Sequence, residues 1–212
     1  DLLFGEVDSN LMVEYETFLK GCDVCPNSSS FYMRNLRAIY NRAVERELTV
    51  QRYPFRHVYT GVDKTVKRAV PLKVIRQIRD LDLTLSPMLD YAKDLFLFSF
   101  YTRGMSFVDM AYLKKKDLQN GVLAYRRQKT GQQLFIRWEK PMQEIIDKYD
   151  TSGTPYLLPI IRDMKEDARK QYKSEAPREK QSLKNIAQLL GLAIPRPSDV
   201  ARDSWASIAQ SQ

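Results

Sequence analysis

Residues 121–138 read GVLAYRRQKTGQQLFIRW, and this stretch decides the fold class. Gly121 to Tyr125 and Gln132 to Trp138 have the composition of strands. Leu134, Ile136 and Trp138 alternate with Phe135 and Arg137, the period of a sheet with one covered face. Lys129-Thr130-Gly131 lies between the two runs. The pattern predicts a β-hairpin with a lysine at its tip. On both sides of it the period is helical.

Upstream, Pro71 opens a helix through Val74, Ile75 and Ile78, and Pro87 opens an apolar one from Met88 to about Tyr101. Gly104 interrupts, and Ser106 caps a further helix through Phe107, Val108 and Ala111. Downstream, helix returns at Met142 to Tyr149. A charged helical region then runs to Gly191, and a last helix starts near Ser198. The expected class is mainly α with a small β-hairpin or three-stranded sheet, α+β.

The amino-terminal part reads differently. Asp8-Ser9-Asn10 caps a helix that Gly21 ends. Pro26 to Ser30 reads as a polar break, with Ser28 or Ser29 capping a second helix. That helix carries Phe31, Leu36, Ile39, Tyr40 and Ala43 as an apolar stripe and shows Arg34, Arg37 and Arg42 elsewhere. Two helices are few for a core, which predicts further helices upstream of Asp1. Residues 50–70 have no clear period and read as a connector, with Lys64, Lys67 and Arg68 near its end. The expected divisions are a helical domain over 1–59, a basic linker over 60–69 and a larger domain over 70–212.

The formal net charge is +8. Residues 1–59 carry seven basic against eight acidic groups, and residues 60–212 carry 27 against 18. The excess on the larger part suits a polyanionic partner. No apolar run is long enough for a membrane span. Cys22 and Cys25 form a lone C-x-x-C. With His57 as the one histidine, a four-ligand zinc site is not assembled, so the pair reads as two reduced thiols at a helix end. No metal and no cofactor is expected. No Walker loop, G-x-G-x-x-G or H-E-x-x-H occurs.

What remains is three separated cations in structured settings: Arg103 at a helix break, Lys129 at the hairpin tip and Arg202 on the last helix. Two guanidinium forks around one phosphodiester would stabilise its transition-state charge. A lysine on the hairpin would protonate the departing 5′ oxygen.

The order of these boxes resembles the tyrosine recombinase (phage-type integrase) family. Tyr101-Thr102-Arg103-Gly104-Met105-Ser106-Phe107-Val108-Asp109 looks like its first arginine turn. Arg127-Gln128-Lys129-Thr130-Gly131 looks like its K-T-G hairpin, and Val200-Ala201-Arg202 with Ser204-Trp205-Ala206 looks like its second arginine box. Ser30 to Arg37 is similar to a helix of its core-binding domain. The likeness is greatest to integrases of bacterial conjugative transposons.

The resemblance implies a partial SAM-like core-binding domain joined to a two-lobed integrase catalytic domain. It implies site-specific recombination of double-stranded DNA through a 3′-phosphotyrosyl intermediate. Catalysis would fall to Arg103, Lys129 and Arg202, and DNA contacts to Arg34, Arg37, Lys64, Lys67, Arg68, Arg127 and Thr130. A homotetramer on two DNA sites, in the nucleoid of a bacterial cytoplasm, is the implied setting.

The sequence departs from the family at three places. Aligning Asp109 with the family's acidic residue puts Ser106 where the first arginine stands, one turn beyond Arg103. Asp199 stands where the second box begins with histidine or tyrosine, and Asp203 where a histidine usually follows the arginine. None of the twelve tyrosines follows Arg202, so the chain is expected to lack the nucleophile. A catalytically degenerate relative that only binds DNA is the alternative.

Overall fold

The structure is a computed structural model and describes residues 2–64, 69–192 and 197–210. The chain is mainly helical, with one three-stranded antiparallel sheet. It divides into two compact units, Asp1–Val66 and Lys67–Gln212.

The first unit is built on α1 (Ser9–Gly21) and α2 (Pro26–Glu45). Asp8 caps α1, its carboxylate accepting from the Leu11 amide at 2.8 Å. α2 starts earlier than its serines suggest. Pro26 occupies the first turn behind Cys25, because its fixed φ suits that position and its missing N–H costs nothing there. Ser29 and Ser30 are therefore buried inside the helix rather than capping it.

The buried stripe of α2 also differs from the one expected. Met33, Tyr40 and Ala43 face the core with Leu36 beside them, at spacings of three and four. Phe31 and Ile39 lie off that stripe and are 54% and 57% exposed.

Residues 50–63 are more than a connector. Phe55 and Val58 enter the core of the first unit, and Phe55 meets the Tyr40 ring edge-on at 6.3 Å. The Tyr40 hydroxyl donates to Val50 O, and the amides of Tyr59 and Asp63 donate to Glu16 and Asn27. These bonds satisfy backbone groups that lack a regular ladder, which explains why no period announces the segment.

The second unit is organised around α4 (Pro87–Tyr101), whose residues from Ala92 to Ser99 are all buried. Around it pack α3 (Leu72–Asp80), α6 (Lys140–Asp147), α7 (Ala168–Leu189) and α8 (Pro197–Gln210). The short α5 (Phe107–Tyr112) follows α4 after a tight turn. The sheet is β1 (Leu118–Gln119), β2 (Val122–Arg126) and β3 (Gln133–Arg137), in that spatial order. Leu123 pairs with Ile136 and Tyr125 with Leu134. Leu123 and Ile136 turn into the core, where Trp138 meets Phe98 at 6.0 Å. No described helix is long and apolar enough to cross a membrane.

Charge is buried inside this core and is compensated. Asp94 is 3% exposed; it pairs with Lys148 and accepts from the Tyr149 hydroxyl at 2.6 Å. Asp90 pairs with Lys93 and Lys148 at 2.9 Å each. Burial pushes the Asp90 carboxyl up, but the hydrogen bonds from Lys148 and Lys93 outweigh it and hold it below the usual carboxylate range. The cluster fastens α4 to the end of α6.

Removing one partner leaves a buried carboxylate without its cation. Lys148→Ala is expected to cost about 2 kcal/mol, at the low side because the lysine is itself partly exposed. Urea denaturation measures it. The folded Asp90 pKa is depressed, so its contribution is present above the ordinary carboxylate pKa and lost as pH falls through the lowered one. The wild-type advantage over Lys148→Ala should therefore shrink on acidification.

Candidate functional site

The turn between α4 and α5 combines left-handed backbone with two hydroxyls that bond main-chain carbonyls. Arg103 and Gly104 both take left-handed conformations, φ 62° and 76°. The Gly104 amide donates to Ser99 O at 2.7 Å, and the Ser99 hydroxyl returns to Met105 O at 2.7 Å. Thr102 bonds back to Phe98 O. The turn ends α4, projects Arg103 into solvent and begins α5 at Ser106.

α8 lies directly on this turn. The Arg202 Nε donates to Gly104 O at 2.9 Å. A Cβ added to Gly104 would stand 2.4 Å from the Arg202 Cα, so only glycine admits the contact. The Arg103 guanidinium sits over the Trp205 ring, Cζ 5.9 Å from its centre. Ser204, fully buried, accepts from the Val70 amide at 2.9 Å. Two arginines 99 positions apart in the sequence thus share one surface. Both remain exposed.

The hairpin is joined to the same place through Asp109. This buried carboxylate accepts from the Ser106 hydroxyl at 2.6 Å on one oxygen and from the Gln128 amide at 2.8 Å on the other. Gln128 immediately precedes Lys129. At the tip, the Gly131 amide donates to Arg127 O and the Arg127 amide to Gln132 O. Lys129 and Thr130 are exposed and Arg127 is half-buried. Lys129 makes no hydrogen bond or ion pair among the described residues. The Tyr125 phenol, on the hairpin below, is pushed up to about 12 by burial and by Asp109, against the opposing fields of Arg127 and Arg202. It is a neutral phenol at working pH.

The sequence-expected residues therefore divide. Arg103 and Arg202 are brought onto one turn, and the residue before Lys129 is tied to that turn through Asp109. Ser106 is a helix cap, its Oγ accepting from the Asp109 amide. Asp199 is exposed and Asp203 half-buried on α8, and both have interactions. In the first unit, Arg34 Nε donates to Ser30 O and Arg37 to the Thr60 hydroxyl at 3.1 Å. Lys64 is exposed. Lys67 and Arg68 lie outside the described residues. Two contributors escaped the sequence reading: Trp205 as the platform for Arg103, and Asp109 as the hairpin's anchor. Asp109 binds a main-chain amide, which no side-chain pattern reveals.

With this geometry in hand, comparison with known structures is informative. A lambda integrase dimer bound to a COC′ core site superposes over 100% of this chain and 74% of its own, with a TM-score of 0.71 at 14% identity. The fold is that of lambda integrase. A second lambda integrase bound to DNA matches at 0.69 and 13% identity, over 96% of this chain and 72% of the other. A lambda integrase tetramer on a Holliday junction matches at 0.65 and 13% identity, over 98% and 61%. Residues 1–58 match the phage integrase SAM-like domain family. Comparison with curated proteins finds no match. The domain match concerns the first unit, and the structural match gives the chain an integrase fold.

Glycine substitutions separate contact from backbone strain. Gly131 also has positive φ, 68°, but open space around a Cβ. Gly131→Ala is expected to cost about 1 kcal/mol, the left-handed penalty alone. Gly104→Ala must in addition displace α8. Thermal unfolding should show the larger loss for Gly104→Ala, and Trp205 emission, read in a Trp138→Phe background, should shift to the red in that variant only.

Proposed function

We propose that this chain is the DNA-engaging part of a tyrosine recombinase, akin to integrases of bacterial conjugative transposons. The observation that carries the reading is the bond from Arg202 to Gly104 O, which sets the second arginine box on the first. Arg103 and Arg202 hold the non-bridging oxygens of one phosphodiester, each through its planar fork. Their charge acts most strongly as the phosphorane forms, lowering the barrier rather than only tightening binding. Lys129, one residue past the Asp109 anchor, gives a proton to the 5′ oxygen as the P–O5′ bond breaks. In the intact recombinase a tyrosine oxygen forms the new P–O bond, and the 3′-phosphotyrosyl link keeps the bond energy for rejoining.

Arg127 and Thr130 flank the lysine and bind the neighbouring backbone. Arg34, Arg37, Lys64, Lys67 and Arg68 supply further phosphate contacts. A helical clamp and a larger catalytic part fit this division of labour, with residues 60–63 belonging to the clamp through their bonds to α2. The partner is double-stranded DNA and the working assembly is a homotetramer on two sites, as the dimer and tetramer forms of lambda integrase on DNA support. The bacterial nucleoid is where such a protein acts.

One observation favours a second reading, a relative that binds DNA without cutting it. The position aligned with the first arginine is Ser106, and its hydroxyl is engaged with Asp109. On this reading Arg103 is a binding arginine only.

Two measurements test the proposal. Electrophoretic shift of a duplex across salt reads the number of phosphate contacts. Arg202→Ala and Arg103→Ala should each reduce the salt slope by about one. Lys140→Ala, a solvated lysine paired with Glu144, should leave it unchanged. Equal slopes for all three variants would sink the proposal. A nicked suicide substrate with the full-length protein then separates the two readings: a covalent protein–DNA adduct establishes cutting, and tight binding without one establishes the second reading.

A further inference from the structure

A cavity of about 520 Å3 opens on the second unit, lined by the start of α4, residues 149–162 and α7. Glu179 Oε2 lines it as a buried polar atom without a hydrogen-bond partner. Buried polar atoms are nearly always satisfied, so an unpaired carboxylate oxygen in a cavity calls for an occupant. Glu179 is only 8% exposed.

The neighbouring charges do not supply what Glu179 lacks. On α7 itself, Arg178 pairs with Glu175 at 3.0 Å, and Lys180 is exposed. From the adjoining loop, Arg162 gives its Nε to Pro159 O at 2.6 Å and lies over the Tyr91 ring. Asp150 accepts from the Ser152 amide. From α4, the Tyr91 phenol is pushed up to about 12 by burial, against the charge and hydrogen bond of Arg162, so it is neutral and keeps an acceptor lone pair. Among these lining groups three carboxylates face two guanidiniums, one of which is paired with Glu175, and the deepest carboxylate, Glu179, has no ion pair among the described residues. The polarity is local, since the protein as a whole is strongly basic.

We propose that this cavity binds one organic cation, an ammonium or guanidinium on a short aliphatic stem, with Glu179 as counter-ion and Tyr91 as a second acceptor. The stem lies along Met88 and Tyr149, which line the same space. A buried carboxylate that meets a cation recovers Coulomb energy and a charge-assisted hydrogen bond at once. Burial holds the Glu179 carboxyl up at about 7, Lys180 opposing weakly. Below that pH the empty site is neutral, and binding a cation must expel a proton. Affinity therefore falls as pH drops through 7. The inference does not depend on the phosphate reading of Arg103 and Arg202.

Calorimetric titration of the whole chain with n-butylguanidinium, against the uncharged N-butylurea of the same shape, tests it. At about pH 8 the cation should bind roughly tenfold or more tighter than the urea, the scale of one charge-assisted bond. At about pH 6 its affinity should be lower by about tenfold, the loss of ionised Glu179. Glu179→Gln keeps the shape and removes the charge, so it should fold at least as stably as wild type and bind both probes alike. Tyr91→Phe, a second variant that retains the cavity wall, should weaken the cation several-fold. No saturable binding, equal affinity of the two probes for wild type, or a persisting cation preference in Glu179→Gln would each overturn the proposal. Sedimentation velocity identifies the source of the cation. A dimer that Glu179→Gln dissociates means a lysine or arginine of a second copy, and an unchanged mass means a free small amine.

Discussion

The contact of α8 with the Gly104 turn is the constraint on which the candidate site depends. It needs three things together: a residue without Cβ, a left-handed backbone, and a helix whose Cα atoms pass within contact distance. Each is local, yet they are met by segments almost a hundred residues apart. Once they are met, Arg202 reaches a main-chain carbonyl and Trp205 comes under Arg103. The buried Ser204 fixes the helix from its other side by capping the Val70 amide. A surface so defined is held by backbone geometry, so the charged tips can stay exposed toward a ligand without losing their placement.

Buried carboxylates perform the second kind of work in this unit, and their environments explain their different roles. Asp109 accepts one hydroxyl and one amide, and through them couples a helix cap to a hairpin tip. Asp94 accepts a lysine and a phenol and couples α4 to α6. In both cases the cost of removing a charge from water is offset by donors aimed at it. Glu179 lies as deep but has no such donors, and its carboxyl rises toward neutrality instead. The same chemistry thus gives fasteners where donors exist and a receptive site where they do not.

Phosphate chemistry asks for fixed donors around a charged group that grows more negative in the transition state. In the proposed site that demand would fall to Arg103 and Arg202, which rest on a glycine turn and an aromatic ring. The lysine stands on a hairpin whose base is anchored and whose tip is exposed.

Much of this was legible in the sequence. The hairpin could be read from Leu134, Ile136 and Trp138, because side chains alternate across a sheet with period two and one face had to be buried. The start of α4 at Pro87 and of α5 at Ser106 followed from local capping chemistry. The boxes holding Arg103, Lys129 and Arg202 were visible as cations in structured places. Tertiary structure decided the rest. It turned α2 so that Met33 and Tyr40, rather than Phe31 and Ile39, entered the core, since several helical faces were apolar enough and packing chose among them. It folded residues 50–63 onto the first unit through bonds to main-chain groups, which leave no periodic trace. It gave Gly104 its partner and Asp109 its amide. Local order depends on near neighbours along the chain, and these contacts depend on atoms that only the folded packing brings within reach.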